Sequence, residues 1–129
     1  MNHILTVEMC RTNVDAIKNE MDAVCPQEPQ ALMSRLNDMA SLVSLAAQTT
    51  ASLQYHFDTA SMNAIQIAKK EGYSPAMAKT YVNGYCAEIG SLYRYSERLG
   101  AGLIHIIDSV RSILSYCKQE NFAANMQRG

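Results

Sequence analysis

The segment Gly72-Tyr73-Ser74-Pro75 combines a helix stop with a helix start, and it decides the fold. Glycine is favoured just after a helix C-terminus, serine caps a helix N-terminus, and proline suits the first helical position. The segment therefore predicts a tight connection between two helices. We predict one helix over about residues 30–71 and another over about residues 75–119.

Apolar and small residues on both sides of this connection recur at alternating spacings of four and three residues. Such spacing places one stripe along the face of a helix. Because the connection is short, the two stripes predict a long antiparallel hairpin. The first stripe comprises Leu32, Leu36, Met39, Val43, Ala46, Thr50, Leu53, Phe57, Ala60, Ala64 and Ile67. The second comprises Ala78, Val82, Tyr85, Ile89, Leu92, Ser96, Leu99, Leu103, Ile106, Val110, Ile113 and Cys117.

The two stripes also predict a register for the hairpin. If the turn centres on residues 73–74, residue i faces roughly residue 147 − i. Thr50 then faces Ser96, so the two hydroxyl residues that interrupt the stripes meet. Phe57 faces Gly90, which pairs a large side chain with the smallest residue. These two matches support the antiparallel arrangement.

A shorter helix is predicted over about residues 3–24, with Asn2 as its cap, before Pro26 and Pro29 interrupt the pattern. The short loop folds this helix back onto the open end of the hairpin, between residues 32–50 and 99–117. The side of the hairpin predicted to receive it carries Met33, Ala40, Ala47, Gly100, Ile107 and Leu114. The tail over residues 121–129 has no periodicity and is predicted to fray.

These elements define an all-α fold, a three-helix bundle in a single domain over residues 1–129. The half of the hairpin near the turn is left as two bare helices that carry several aromatic side chains. Because apolar surface is driven out of water, this half predicts an interface, with dimerisation completing a four-helix or larger bundle. The predicted interface residues are Tyr55, Met62, Ile65, Tyr81, Tyr93 and Tyr95.

No catalytic, cofactor-binding or metal-binding motif is found. His105 and Asp108, with Glu97, match only part of the pattern of a carboxylate-bridged metal bundle. No serine or cysteine has an assignable base, so the sequence predicts that the protein is not an enzyme and holds no cofactor or metal. The four cysteines lack C-x-x-C spacing, and neither a signal peptide nor an apolar run of about 20 residues occurs. These features predict a reduced cytoplasmic protein without a membrane segment.

Nucleic acid is the alternative partner. Lys69, Lys70, Tyr73 and Lys79 surround the turn, and Arg94 and Arg98 form a second basic group. Basic and aromatic side chains together contact phosphates and bases. Lysines near a helix C-terminus, however, also complement the helix dipole, and the net charge of −1 provides no general attraction to nucleic acid.

The segment over residues 105–120 contains His105, Arg111, Ser115, Lys118 and Glu120 in a pattern H-x-I-x-x-x-R-S-x-L-S-x-x-K-x-E. It resembles the C-terminal segment of small helical proteins from phage and prophage gene clusters. The resemblance implies a cytosolic accessory protein acting near DNA replication or recombination, with no activity to carry over. From the residues themselves, the sequence favours a non-catalytic interaction or assembly protein that works through helix–helix contacts. The alternative is a nucleic-acid-associated accessory protein of a mobile element.

Overall fold

A computed structural model describes residues 3–128, and within that range the chain forms four helices and no strands. The helices are α1 (Val7–Asp22), α2 (Pro29–Lys70), α3 (Pro75–Tyr85) and α4 (Ala87–Arg128). The predicted all-α fold is confirmed. Helix α2 packs along α3 and α4 as a long hairpin, and α1 lies against both α2 and α4.

The turn of the hairpin has the chemistry that its sequence predicts. Gly72 has a φ of 70°, the left-handed conformation that glycine adopts without strain. The Ser74 hydroxyl accepts a hydrogen bond from the Met77 amide at 3.3 Å, and Pro75 begins α3. The C-terminus of α2 closes as the Tyr73 amide donates to the Ala68 carbonyl at 3.1 Å. One local signal therefore ends α2 and starts α3.

The predicted register is confirmed at two heights. Thr50 Oγ1 and Ser96 Oγ form a hydrogen bond of 2.7 Å between α2 and α4. A Cβ atom added to Gly90 would lie 2.9 Å from Phe57 Cε2, so the phenyl ring occupies the space that glycine leaves. Closer to the turn, Ser61 Oγ lies 3.5 Å from Cys86 Sγ.

The Thr50–Ser96 contact predicts a coupled response to mutation. Either Thr50→Val or Ser96→Val alone leaves one hydroxyl without its partner, and we expect each to destabilise the fold by about 1 kcal/mol. The double variant removes both polar groups, so its free energy of unfolding should exceed the additive expectation by at least about 1 kcal/mol. Urea denaturation of the four proteins in this mutant cycle measures that coupling. Strict additivity would show that the two hydroxyls do not interact.

The predicted single helix over residues 75–119 is wrong, because the helix is interrupted at Cys86. Cys86 has φ −96° and ψ 2°, and its amide bonds to both the Gly84 and the Val82 carbonyls. Gly84 and Gly90 flank the break, and glycine lowers helix propensity by about 1 kcal/mol relative to alanine. These two glycines therefore weaken the helix where Phe57 packs against it.

The predicted end of the last helix near residue 119 is also wrong, because α4 continues to Arg128. Alanine and glutamine are strong helix formers, and this segment contains Ala123, Ala124 and Gln127. Local propensity therefore extends α4 where no apolar periodicity requires it. The Phe122 and Met126 side chains are exposed. Gly129 lies outside the described residues.

Buried positions on α4 depart from the predicted stripe. Ile113 is exposed, whereas Leu114 is buried. From Ser96 onward the buried positions are Ser96, Leu99, Leu103, Ile107, Val110 and Leu114. These positions recur with the 3.6-residue period of a straight helix, whereas the predicted stripe kept the 3.5-residue period of a supercoil.

Helix α1 begins later than predicted. Thr6 caps it, its hydroxyl accepting from the Met9 amide at 3.2 Å, and α1 starts at Val7 rather than at residue 3. The predicted cap, Asn2, lies outside the described residues. At its other end α1 stops at Asp22, two residues before the predicted end, and the chain is extended at Ala23.

The position of α1 is shifted from the prediction toward the turn. The Leu5 amide donates to Ser52 Oγ at 3.0 Å, and Arg35 donates to the Glu20 carbonyl at 3.3 Å. Helix α1 therefore runs antiparallel to α2 between about residues 35 and 56, not between residues 32 and 50. On α4 it reaches as far toward the turn as Glu88, which pairs with Arg11.

The prediction that α1 packs on the Ala40 and Ala47 side of α2 is wrong as well. Ala40 and Ala47 are exposed, and α1 packs instead beside Arg35, Thr49 and Ser52, which are buried. Thr49 Oγ1 donates to the Leu45 carbonyl at 2.7 Å and Ser52 Oγ accepts from Leu5, whereas Arg35 bonds through Nη2 and its buried Nε has no hydrogen-bond partner among the described residues. On α4, a Cβ at Gly100 would meet nothing within 4 Å, so the apolar side opposite α1 stays uncovered.

Candidate interaction surfaces

Three of the predicted interface residues are well exposed on α2. Tyr55, Met62 and Ile65 have 51%, 60% and 43% of their surface in contact with solvent. Tyr95 on α4 is 40% exposed, but it lies beside α1, on a surface shared with Arg11 and Glu88. The structure therefore distributes these four side chains over more than one surface.

Two other predicted interface residues are half-buried by contacts within the chain. Tyr81 lies between Tyr73 and Tyr85, with ring centroids 5.6 Å and 5.9 Å away. The Tyr93 ring lies 5.9 Å from that of Phe57. Aromatic pairs at these distances are stabilising. The aromatic residues near the turn thus supply part of the packing that the bare half of the hairpin needs.

An open groove between α2 and α4 lies on the side of the hairpin that the sequence predicts for α1. It encloses about 390 Å³ and lies on the side of the hairpin opposite α1. Most of its lining residues are small, and Ile104 is the large apolar side chain among them that is exposed, at 51%. The lining residues are Val43, Ala46, Ala47, Thr50, Ala51, Gln54, Glu97, Gly100, Ala101, Leu103 and Ile104.

The small residues of this groove are recognisable in the sequence, but their spacing predicts that α1 covers them. Ala47 and Gly100 were predicted to receive α1, and both instead line the open groove. Small side chains let a second helix approach closely. The groove is therefore a surface on which a further helix can pack.

A second hollow of about 370 Å³ lies where α1 begins, and three of its polar side chains make contacts within the chain. Arg11 and Glu88 form an ion pair of 2.6 Å, and His56 Nε2 lies 2.7 Å from the Leu5 carbonyl oxygen. Val7, Ala60 and Ile89 supply apolar walls. These contacts hold the start of α1 against α2 and α4.

Basic residues form two separated groups. Lys69 and Lys70 lie in the last turn of α2, and Lys79 is exposed on α3. Arg94 is a full 15 residues further along the chain than Lys79, and its guanidinium folds back over Gly90. Lys79 and Arg94 therefore lie on different helices, α3 and α4.

The partial metal pattern on α4 has no further ligands around it. Glu97, His105 and Asp108 are exposed, and Asp108 lies 3.9 Å from Arg111. In the described part of the chain, no three His, Cys, Asp or Glu side chains are grouped so that they could hold a metal ion.

Fold and surfaces together define an all-helical bundle protein with an uncovered apolar groove. No helix in residues 3–128 combines the length and apolarity that crossing a membrane requires. Comparison of the chain with protein-family models, curated proteins and solved structures finds no match.

The cysteines predict a graded reactivity. All four are free thiols; Cys25 is exposed, Cys117 is half-buried, and Cys10 and Cys86 are buried. Burial also raises the pKa of the Cys10 thiol, which lowers the thiolate fraction that reacts. In a thiol-reagent assay of the native protein we expect Cys25 to react first and Cys10 much more slowly. In denaturant all four should react without prior reduction, and a native disulfide would contradict this expectation.

Proposed function

We propose that this protein is a non-catalytic interaction and assembly protein of the cytoplasm that works through helix–helix contacts. The observation that carries the proposal is the apolar groove between α2 and α4, which α1 leaves uncovered. Exposed apolar side chains next to a groove of small residues favour the docking of another helix. Tyr55, Met62 and Ile65 add apolar area on α2 beyond the groove.

The four cysteines have no C-x-x-C spacing and are free thiols, which supports a reducing compartment for this role. The simplest partner is a second copy of the chain, since most soluble assemblies are symmetric homo-oligomers. Two hairpins packed together would cover apolar surface that a single copy exposes.

Sedimentation equilibrium at micromolar concentrations tests this proposal directly. We expect a mass near twice the 14.3 kDa of the chain. A protein that remains monomeric up to about millimolar concentration, the range of weak association, would contradict assembly with itself.

The rival function, nucleic-acid binding at the turn, is tested with the same protein. Lys69, Lys70 and Lys79 are exposed, so changing all three to glutamate should leave folding intact. We expect no binding of DNA or RNA by the wild type at about 0.1 M salt, and no change in mass for the triple variant. Salt-sensitive binding that the triple variant loses would favour the rival.

A further inference from the structure

One stripe on the exposed side of α4 carries an acid, an apolar residue and a base at equal spacing. These are Glu97, Ile104 and Arg111, each seven residues from the next. Seven residues return a straight helix to within about 20° of the same direction, so all three lie on one face. Glu97 and Ile104 line the groove, and Ile104 is 51% exposed.

Neither charged end of the stripe is strongly paired within the chain. Glu97 has no ion pair among residues 3–128, and Arg111 meets Asp108 only at 3.9 Å, where both side chains are about two-thirds exposed. An exposed pair at that distance contributes little. Both charges are therefore available to another molecule.

We propose that this face of α4 packs against the same face of a second copy, antiparallel, with Ile104 next to the Ile104 of the partner subunit. This inference rests on the proposed function and names its partner and contact surface. In this register residue i faces about residue 208 − i of the other copy, so Glu97 of each copy meets Arg111 of the other. The charge order makes the stripe self-complementary only when the two helices are antiparallel.

The neighbouring residues fit this register. Asp108 faces Gly100, so no like charges meet between Glu97 and Arg111. Gly100 and Ala101 are small, which lets the helix axes approach to about 8 Å. On α2, the same side of the hairpin presents the exposed Ala40, Ser44, Ala47 and Ala51. The groove is thus bordered on both helices by side chains that do not obstruct a second hairpin.

Disulfide trapping at the two-fold axis tests the geometry. Helix axes about 8–10 Å apart bring facing Cα atoms within roughly 4–6 Å, the range that a disulfide spans. In a Cys25→Ser background, which removes the exposed native thiol, Ile104→Cys should form a covalent dimer under mild oxidation. Ser91→Cys is the matched control, because it is exposed on the same helix but lies on the Arg11–Glu88 side.

We expect at least about tenfold more covalent dimer for Ile104→Cys than for Ser91→Cys under the same conditions. Equal trapping of both variants, or none for Ile104→Cys, would overturn the proposed contact. If the wild type sediments as a dimer while Ile104→Cys is not trapped, assembly stands and this interface fails. If the wild type is monomeric, both the assembly with itself and this interface fail.

Charge reversal gives a second readout that needs no cysteine. Glu97→Arg or Arg111→Glu alone places like charges at two symmetric contacts, so each should raise the dimer dissociation constant about tenfold. The double variant exchanges the charges and should return the constant to within about threefold of the wild type. Both residues are exposed, so thermal unfolding by circular dichroism should show folded proteins throughout. A double variant as weak as the single variants would refute the pairing.

Discussion

Leu103→Ala should lower the free energy of unfolding by about 3–4 kcal/mol, in the upper range for buried leucine truncations. Leu103 is fully buried in the cluster that joins α1 to the hairpin, together with Cys10, Val14, Ile17 and Met39. Its removal leaves a cavity where three helices meet, so all three lose contacts at once. Chemical denaturation followed by circular dichroism measures the loss.

A matched truncation on the same helix controls for the change in helix propensity. Met126 is 68% exposed near the end of α4, so Met126→Ala should change stability by no more than about 0.5 kcal/mol. A loss below about 1 kcal/mol for Leu103→Ala would show that α1 does not pack over this position.

The hairpin could be predicted from sequence because its determinants are local. The turn from Gly72 to Pro75 specifies its own backbone, and the contacts of Thr50 with Ser96 and of Phe57 with Gly90 follow from counting residues away from it. Local signals also predict both ends of α2 and the start of α3 to within one residue. The break at Cys86 was missed because the apolar spacing continues across it.

The placement of α1 could not be predicted in the same way. Apolar spacing predicts the side with Ala40 and Ala47, whereas α1 packs on the side where Thr49 and Ser52 are buried with hydrogen-bond partners. Which polar residues will find partners depends on tertiary geometry that one sequence does not encode locally.

The open groove is not predicted from the sequence, because α1 is predicted to cover that side of the hairpin. Its residues were recognised as an apolar side of the hairpin, but they were assigned to packing within the chain. The predicted interface residues differ in exposure for a related reason. Tyr81 and Tyr93 pack against aromatic neighbours of their own chain, whereas Tyr55 is exposed. Periodicity identifies an apolar surface, and tertiary packing determines whether the chain itself covers it.

Gly90→Leu should destabilise the protein by about 2–3 kcal/mol, the cost of overpacking a filled site. A Cβ alone would lie 2.9 Å from Phe57 Cε2, and leucine adds three further carbon atoms. The Phe57 ring has little freedom to move, because it also packs on Tyr93 with centroids 5.9 Å apart. The steric loss should therefore exceed the gain of about 1 kcal/mol from replacing a helical glycine.

Gly84→Ala isolates that propensity gain, because a Cβ there meets no heavy atom within 4 Å, and it should stabilise the protein by about 0.5–1 kcal/mol.

The compensating variant combines Gly90→Leu with Phe57→Ala, so that leucine fills the space the ring vacates. Its free energy of unfolding should exceed the sum of the two single effects by at least about 1.5 kcal/mol in a urea-denaturation cycle. If Gly90→Leu were as stable as Gly84→Ala, Phe57 would not occupy this space. The pairing of residue 57 with residue 90 near the turn would then be wrong.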